Sequence, residues 1–563
     1  MVRFLRRLSV APLVLALALV SLATLFIADT AVVSVFAQTQ ATPPPATPPA
    51  TPQATTPPAT PPATPPPTAD AKAYTDATRI TDPGKKIEAL EKFLKDFPDS
   101  TRKSTAYGTL FDTYVKERPT ERAKILEYAQ QVIESAPEGF RASGYSRVAT
   151  KLVDANVMLE DAEKFATEGL DVFDADEKKR LQRSRATHLA TLGRIRIKQG
   201  RVAEAETALK EAFAANPEIP GAAVGLAELA EKRGDNKAAV DHWMTAALTG
   251  RLTAEDLVRF EATYKKVNGS LDGLDTALDA KYKAAYPAAI HPEAYKATPA
   301  RTNRMVLAEV FTGAGCPPCV SVDLGFDAAL ERYARKDIAV LMYHLHIPQP
   351  DPLTNKWTTD RATYYKISGV PNFAVDGELD NRGGGDRAAA KAAYDRIVPK
   401  LDKALESAAT AQLALAASLD GSTIKVKATP SAITDGKKVK LQIALVEELM
   451  SYSGENGIRF HPMVVRALAT GEKDQGLPVD QANPVAADYT FDLAKIATDT
   501  KAWLDDYEVN GRHGRITFKS KPVKMDTAKL SVVAFLQDED SKKVLQSAYV
   551  KIGGGPSTSL ASR

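Results

Sequence analysis

The sequence predicts a multidomain protein with three kinds of core in succession: an all-α helical-repeat solenoid, an α/β domain and an all-β sandwich. Three observations predict it. A helical pattern rich in Ala, Leu, Glu and Lys runs from about residue 69 to 286 and contains a repeat of 34 residues. An apolar, strand-like run at 305–311 leads into Cys316 and Cys319, the only two cysteines, and a helical pattern leaves them. Beyond about residue 407 the apolar period becomes two, the mark of half-buried strands. A chain of 563 residues also exceeds what one core supports, so three or more domains are expected.

Composition narrows the function classes. Lys and Arg number 73 against 70 Asp and Glu, a formal charge of +3, and no long basic block lies beyond the N-terminus. Nothing here supports nucleic-acid binding. With 44% hydrophobic and 25% charged residues the chain reads as ordinary globular protein.

The N-terminus reads as an export signal over residues 1–37. Arg3, Arg6 and Arg7 precede an uncharged apolar run at 8–28, and Val35-Phe36-Ala37 puts small residues where a signal peptidase cuts. That run is long enough to cross a bilayer, so a retained membrane anchor is the alternative. No cysteine stands at the cleavage site, so lipoprotein processing is excluded. Residues 38–68 form a Pro/Thr/Ala-rich linker, expected to be disordered. Proline removes donors and fixes φ, so polyproline II is its default, with a reach on the order of 80 Å at ~3.1 Å per residue. It reads equally as a spacer from a membrane or wall and as a passive linker.

Export changes how the cysteines read. A disulfide-stabilised exported domain uses several pairs, whereas this chain has one, at Cys-x-x-Cys spacing. So short a loop removes little chain entropy. Chemistry is the better reason to keep it.

Within the repeat region, 69–290, Leu192, Gly193, Gly200, Ala205, Leu209 and Ala212 recur 34 residues on as Leu226, Ala227, Gly234, Ala239, Trp243 and Ala246. Small residues at a helix crossing and a turn glycine are what a stacked helical hairpin needs. Pro217 ends the first hairpin, and 87–98 reads as another repeat helix ending at Pro98. This resembles the tetratricopeptide repeat. The resemblance implies a concave surface for a protein partner; an array that only spaces or dimerises the chain is the alternative. Trp243 and Tyr264 read as core. Residues 287–304, with Pro287, Pro292 and Pro299, connect to the next domain.

In the domain at 300–404, Pro317 falls just inside the start of the helix after Cys316, where a missing N–H costs nothing. Cys316 therefore opens a helix, whose unpaired donors and dipole favour a thiolate. A second strand at 338–343 follows. Then come Gly369-Val370-Pro371 and the run Asn372-Phe373-Ala374-Val375-Asp376-Gly377, a short strand and a turn. The order strand, Cys-Pro-Pro-Cys, helix, strand, helix, Gly-Val-Pro, strand resembles the thioredoxin-like superfamily.

That resemblance implies thiol–disulfide exchange. It makes Cys316 the nucleophile and the more exposed sulfur, and Cys319 the buried resolving sulfur. It makes Pro371 a cis proline against the pair, with Val370 and Gly369 offering backbone to substrate. Glu309 lies near where some members carry a buried acid that shuttles the Cys319 proton, with spacing one residue longer, and Gly315 stands where a Trp is usual. Pro317-Pro318 resembles extracytoplasmic reductases and Gly-Val-Pro resembles periplasmic oxidases; the reductase direction is favoured. His344 and His346 alternate at the end of the second strand. They read as strand-end residues, as groups that favour the Cys316 thiolate, or as metal ligands with the cysteines.

At 405–553, strand patterns at 412–415, 423–427, 438–443, 464–468, 489–493, 516–519, 530–537 and 544–550 suggest an immunoglobulin-like antiparallel sandwich. No catalytic constellation is visible there, and nothing pairs His461 with His513. Residues 554–563 read as a flexible tail.

The expectation is an exported, extracytoplasmic thiol–disulfide oxidoreductase without cofactor or metal. It would act on protein thiols or disulfides, recruit a protein partner through its repeats, and allow a membrane tether. The rivals are a redox-inactive thioredoxin-fold assembly protein and a soft-metal carrier.

Overall fold

The computed structural model describes residues 68–137, 139–175, 182–469 and 476–552. The expected signal, linker and tail lie outside the described residues. Among the described residues no helix is long and apolar enough to cross a membrane.

The first half is a helical-repeat solenoid. It begins with α1 (Ala69–Arg79), α2 (Pro83–Asp96), α3 (Lys103–Glu117) and α4 (Arg122–Glu134). It continues through α5 (Arg141–Asp154), α6 (Leu159–Ala175), α7 (Gln182–Lys198) and α8 (Val202–Ala215). It ends with α9 (Pro220–Lys232), α10 (Asn236–Leu248), α11 (Ala254–Asn268) and α12 (Leu274–Ala285). The repeat read from sequence sits in α7–α10: Gly200 and Gly234 both take positive φ (79° and 77°) in the turns of successive hairpins. Glycine meets that conformation without a Cβ clash. Trp243 and Tyr264 are buried, and the Trp243 Nε1–H donates to Glu231 Oε1 at 2.7 Å.

The second half is built on one mixed sheet. Its first part comprises β1 (Val306–Thr312), α13 (Val320–Arg332), β2 (Ile338–His344), α14 (Lys356–Tyr365), β3 (Asn372–Val375), β4 (Glu378–Asp380) and α15 (Ala390–Leu405). β1 pairs parallel with β2 and antiparallel with β3, which pairs antiparallel with β4. Both central strands are buried throughout, as a strand covered on two faces must be. Side chains alternate across β1, so Thr312 faces α13 while Glu309 faces α14. Their hydrogen bonds to Asp323 and Arg361 record this.

The remaining elements are β5 (Gln412–Asp420), β6 (Thr423–Ser431), β7 (Val439–Ser451), β8 (Phe460–Leu468), β9 (Leu477–Pro478), β10 (Ala487–Asp492), α16 (Leu493–Asn510), β11 (Leu530–Asp538) and β12 (Val544–Lys551). They correct the expected self-contained immunoglobulin-like sandwich at 405–553. β8 pairs parallel with β2 at Met342↔Val464, giving a nine-stranded sheet ordered β12-β11-β7-β8-β2-β1-β3-β4, with β9 on β7. Val446, Val465 and Phe535 share a core with Val310, Phe311 and Tyr343. Only β10-β6-β5 forms a separate sheet, packing Leu415 and Ile424 against Leu441, Ile443 and Val532. A buried edge at β2 would leave a row of unpaired backbone groups, and β8 covers it. The strand expected at 516–519 is also absent. The segment instead lies along α16, where Ile516 N–H and Phe518 N–H donate to Glu508. The described residues form one compact unit.

Candidate functional site

Cys316 and Cys319 form a disulfide, with Cα atoms 5.4 Å apart. Cys316 ends the loop after β1, and Pro317–Cys319 make one 3-10 turn that runs into α13. The Val370–Pro371 peptide bond is cis, and the Val370 carbonyl oxygen lies 3.8 Å from Cys316 Sγ. Gly369 and Val370 are half-buried and Pro371 is buried. The structure therefore brings Cys316, Cys319, Val370 and Pro371 together.

Two expectations for this site are corrected. Cys316 is not the exposed sulfur: both cysteines have 0% exposure, and Pro317 and Pro318 form the open surface. Three segments close around the pair. One is 369–371. The second is 383–385, where a Cβ on Gly384 would sit 2.1 Å from the Pro318 carbonyl and 2.7 Å from the Pro371 ring. The third is the loop joining β7 to β8, residues 452–459, whose Asn456 binds the cysteine loop.

Glu309 is the second correction. It is not a strand-end carboxylate in solvent. Buried on the α14 face of β1, it accepts from Arg361 Nε (2.7 Å) and Nη2 (3.0 Å), Tyr343 OH (2.9 Å) and Tyr365 OH (2.6 Å). A capping box at Asn355 and Thr358 starts α14 and so aims Arg361 inward. Arg361 Nη2 also donates to Gln537 Oε1 at 2.6 Å.

The carboxylate on the cysteine side of the sheet is Asp323, four residues and one helical turn after Cys319. It accepts from Thr312 Oγ1 at 2.9 Å, and its Oδ1 is buried with no partner among the described residues. Burial pushes its carboxyl up to about 7, against the pull of His344 and the Thr312 hydroxyl. His344, in register with Thr312 on β2, bonds through Nδ1 to Asp351 Oδ2 at 2.8 Å. Its Nε2 has no partner among the described residues. Asp351 also accepts from the backbone N–H of Ala314, inside the cysteine loop, at 2.7 Å. Burial raises the Asp351 carboxyl, but His344 and the Ala314 and Leu353 N–H groups outweigh it and the net direction is down. His461 of β8 packs edge-on against His344, ring centroids 5.0 Å apart, and burial lowers it to about 3.

His346 departs from its neighbour. It stacks on Tyr507 and Trp503 of α16, accepts from the Asp351 N–H at 2.9 Å, and is lowered to about 4 by burial. The two histidines thus do not converge with the cysteines, and no metal-binding group of three His, Cys, Asp or Glu occurs among the described residues. His513 binds the Pro348 carbonyl at 2.8 Å and His461 the Tyr452 carbonyl at 2.9 Å, so each has its own partner.

A cleft of about 200 Å³ opens beside the pair, lined by Arg251 and Tyr286 of the solenoid, Pro317, Val320 and Arg387, and Asn456. Sequence reading missed Asp323, Asp351 and Asn456, and found no partner for His461. Asp323 had a findable signal, an acid one turn after Cys319 with a second, Asp327, one turn further on; the others sit on distant elements.

The fold and site define a class: a helical-repeat solenoid joined to a mixed-sheet domain carrying a Cys-x-x-Cys disulfide. No family model matches the chain, and no curated protein matches it. Among solved structures, HBP35 of Porphyromonas gingivalis is similar at 15% identity and TM-score 0.31, over 44% of this chain and 76% of that one. PilW, a type IV pilus biogenesis factor, is similar at 19% identity and TM-score 0.27, over 39% of this chain and 92% of that one. PilF of Pseudomonas aeruginosa follows at 17% identity and TM-score 0.26, over 39% and 96%.

Proposed function

We propose that the chain is an exported thiol–disulfide oxidoreductase with a thioredoxin-like site, whose solenoid docks a protein partner. The observation that carries the reading is the Cys316–Cys319 disulfide at the start of α13, with the Val370 carbonyl 3.8 Å from Cys316 Sγ. The strand order β2-β1-β3-β4, with β3 and β4 antiparallel, supports it.

In the reducing direction, which we favour, an external dithiol first reduces the Cys316–Cys319 disulfide and is itself oxidised, and the Cys316 thiolate then attacks a substrate disulfide. One substrate sulfur leaves as a thiolate and a mixed disulfide forms. The Cys319 thiolate then attacks Cys316 Sγ and releases the second substrate sulfur. The substrate gains two electrons and the pair becomes the disulfide. Before that attack Cys319 must lose its proton, and Asp323, one turn along α13 with an unpartnered oxygen, is placed to take it. The proton reaches a substrate thiolate through solvent. Substrates would be protein disulfides, and residues 1–37 would deliver the chain outside the cytoplasm, cleaved or as a tether.

Insulin reduction tests the reading. Cys316→Ser abolishes turnover, and Cys319→Ser accumulates mixed disulfides resolvable by non-reducing gel. Turnover unaffected by Cys316→Ser overturns it. Burial of both sulfurs favours a second reading, a redox-inactive assembly protein. Maleimide labelling before and after dithiothreitol separates the two, because a redox site gains two labels under native conditions and an inert one gains none.

A further inference from the structure

A buried Cys316 cannot meet a protein disulfide unless something beside it moves. Of the segments around the pair, 369–371 leads into β3, which is paired along β1. Segment 383–385 is fastened to α13 by two hydrogen bonds between Ser321 and Gly385, at 3.0 and 2.7 Å. The loop 452–459 is different. Inside it the backbone closes on itself, with Tyr452 N–H to Arg459 O and Gly454 N–H to Ile458 O, both 2.8 Å.

Its hydrogen bonds to the cysteine loop all come from one residue, beside the close packing of Gly454 and Tyr452 on Ala314. The Asn456 N–H donates to Ala314 O (3.0 Å), and its side-chain amide donates to the carbonyls of Gly313 (3.3 Å) and Cys316 (3.4 Å). His461 Nε2 bonds the Tyr452 carbonyl at 2.9 Å and Lys519 pairs with Glu455 at 3.8 Å, while the remaining anchors lead to the solenoid. Arg459 donates through Nε to Asp279 Oδ1 at 2.6 Å and through Nη2 to Asp275 Oδ1 at 3.1 Å, both on α12. Arg251, just past α10, donates to Glu455 O at 3.0 Å. Arg387 bridges Gly457 O (3.2 Å) and Tyr282 OH (3.1 Å) of α12.

We infer that loop 452–459 is a gate over Cys316, that Asn456 is its positioning residue, and that α12 of the solenoid holds it shut through Arg459. The Arg459 side chain is 3% exposed, against 28% for Asp279 and 88% for Asp275. A buried guanidinium is tolerated only while paired. Remove the two carboxylates and the closed loop leaves the charge with neutral acceptors only, the Asp275 carbonyl (3.2 Å) and Ser453 Oγ (3.0 Å), whereas the open loop gives it water. The open population rises, and with it access to Cys316. The same linkage lets a protein bound on the solenoid control the pair, provided that it binds one loop position better than the other. The inference takes from the proposed function only that Cys316 is the sulfur to be reached.

The test is the rate at which dithiothreitol reduces the disulfide of the full chain, read by alkylation and mass spectrometry. Asp275→Asn with Asp279→Asn is expected to raise that rate roughly ten-fold, and Asn456→Ala by a similar factor. Asp279→Glu on its own keeps the charge and stays near the wild-type rate. Glu228→Gln breaks the 2.7 Å pair with Arg259 elsewhere on the solenoid and leaves the rate unchanged. Wild-type rates in both the double variant and Asn456→Ala overturn the gate, as does equal acceleration by Glu228→Gln, which signals general loosening. Insulin turnover is a separate readout. Should it be absent while the variants still speed dithiothreitol access, the oxidoreductase reading falls and the gate stands.

Discussion

Two buried carboxylates attach to β1 from opposite faces, and they are treated in opposite ways. Glu309, on the α14 face, receives four hydrogen bonds, two of them from the Arg361 guanidinium. Asp323, on the α13 face and one turn from Cys319, receives a single hydroxyl and keeps one buried oxygen without a partner among the described residues. Beside it His344 likewise keeps a bare Nε2. A buried carboxylate held by a full set of donors fastens its neighbours together; Asp323, left short, is pushed toward the neutral form and becomes able to exchange a proton near neutral pH. Sequence reading gave the proton-handling role to Glu309 because of its place before the cysteines. Count of donors, not distance along the chain, separates the two.

The largest effect should come from breaking the satisfied network. Glu309→Gln leaves Arg361, itself 0% exposed, without its counter-charge. Stranding one partner of a buried ion pair costs about 3–5 kcal/mol. The urea midpoint should fall accordingly at pH 7, with reactivity of the folded disulfide toward dithiothreitol little changed. A loss of reactivity in fully folded Glu309→Gln would return this residue to the catalytic set and erase the contrast.

A smaller step in the same network is Tyr365→Phe. It removes the 2.6 Å donor to Glu309 and the acceptor of Gln537 Nε2, while leaving the Arg361 pair intact. A hydrogen bond to a charged group contributes about 1.5–3 kcal/mol, so chemical denaturation should register a loss in that range. A loss as large as that of Glu309→Gln would mean that the tyrosines and not the arginine hold the carboxylate.

The contrast also marks what a single sequence can carry. Local signals sufficed for β1, the turn into α13, β2, and the 34-residue hairpins turned at Gly200 and Gly234, because each depends on residues a few positions apart. The partners of Glu309 lie 34 to 56 residues away at Tyr343, Arg361 and Tyr365, and Gln537 reaches Arg361 across 176 residues. No periodicity links such positions. Merging of the C-terminal strands with the α/β sheet was hidden for the same reason: it turns on one parallel pair, Met342↔Val464. Asn456, 140 residues beyond Cys316, is likewise invisible until the chain is folded. α16 was overlooked because apolar runs on either side of it invited strands, while its own stripe of Leu493, Ile496, Thr500 and Leu504 has helical spacing.

The smallest effect, and the one that sharpens the comparison most, is the matching amide swap on the other face. Asp323→Asn keeps an oxygen for Thr312 Oγ1 and removes a charge that burial opposes. In the folded protein this carboxyl is raised to about 7 from an ordinary value of 3.8. Between those values the folded state therefore binds more protons than the unfolded chain, and stability must fall as pH rises. The contribution is whole below about pH 4 and is gone once the pH has passed about 7. Urea midpoints measured at pH 5 and pH 8 should thus decline in the wild type through this group. In Asp323→Asn that part of the decline disappears, leaving the variant more stable than wild type at pH 8 by on the order of 1–2 kcal/mol. The same carboxylate-to-amide change then has opposite signs on the two faces of β1, destabilising at 309 and stabilising at 323 above neutral pH. An unchanged pH slope in Asp323→Asn would mean that the folded protein already holds this carboxylate ionised. Asp323 would then belong with Glu309 as a structural carboxylate, and it would lose its part in taking up the Cys319 proton.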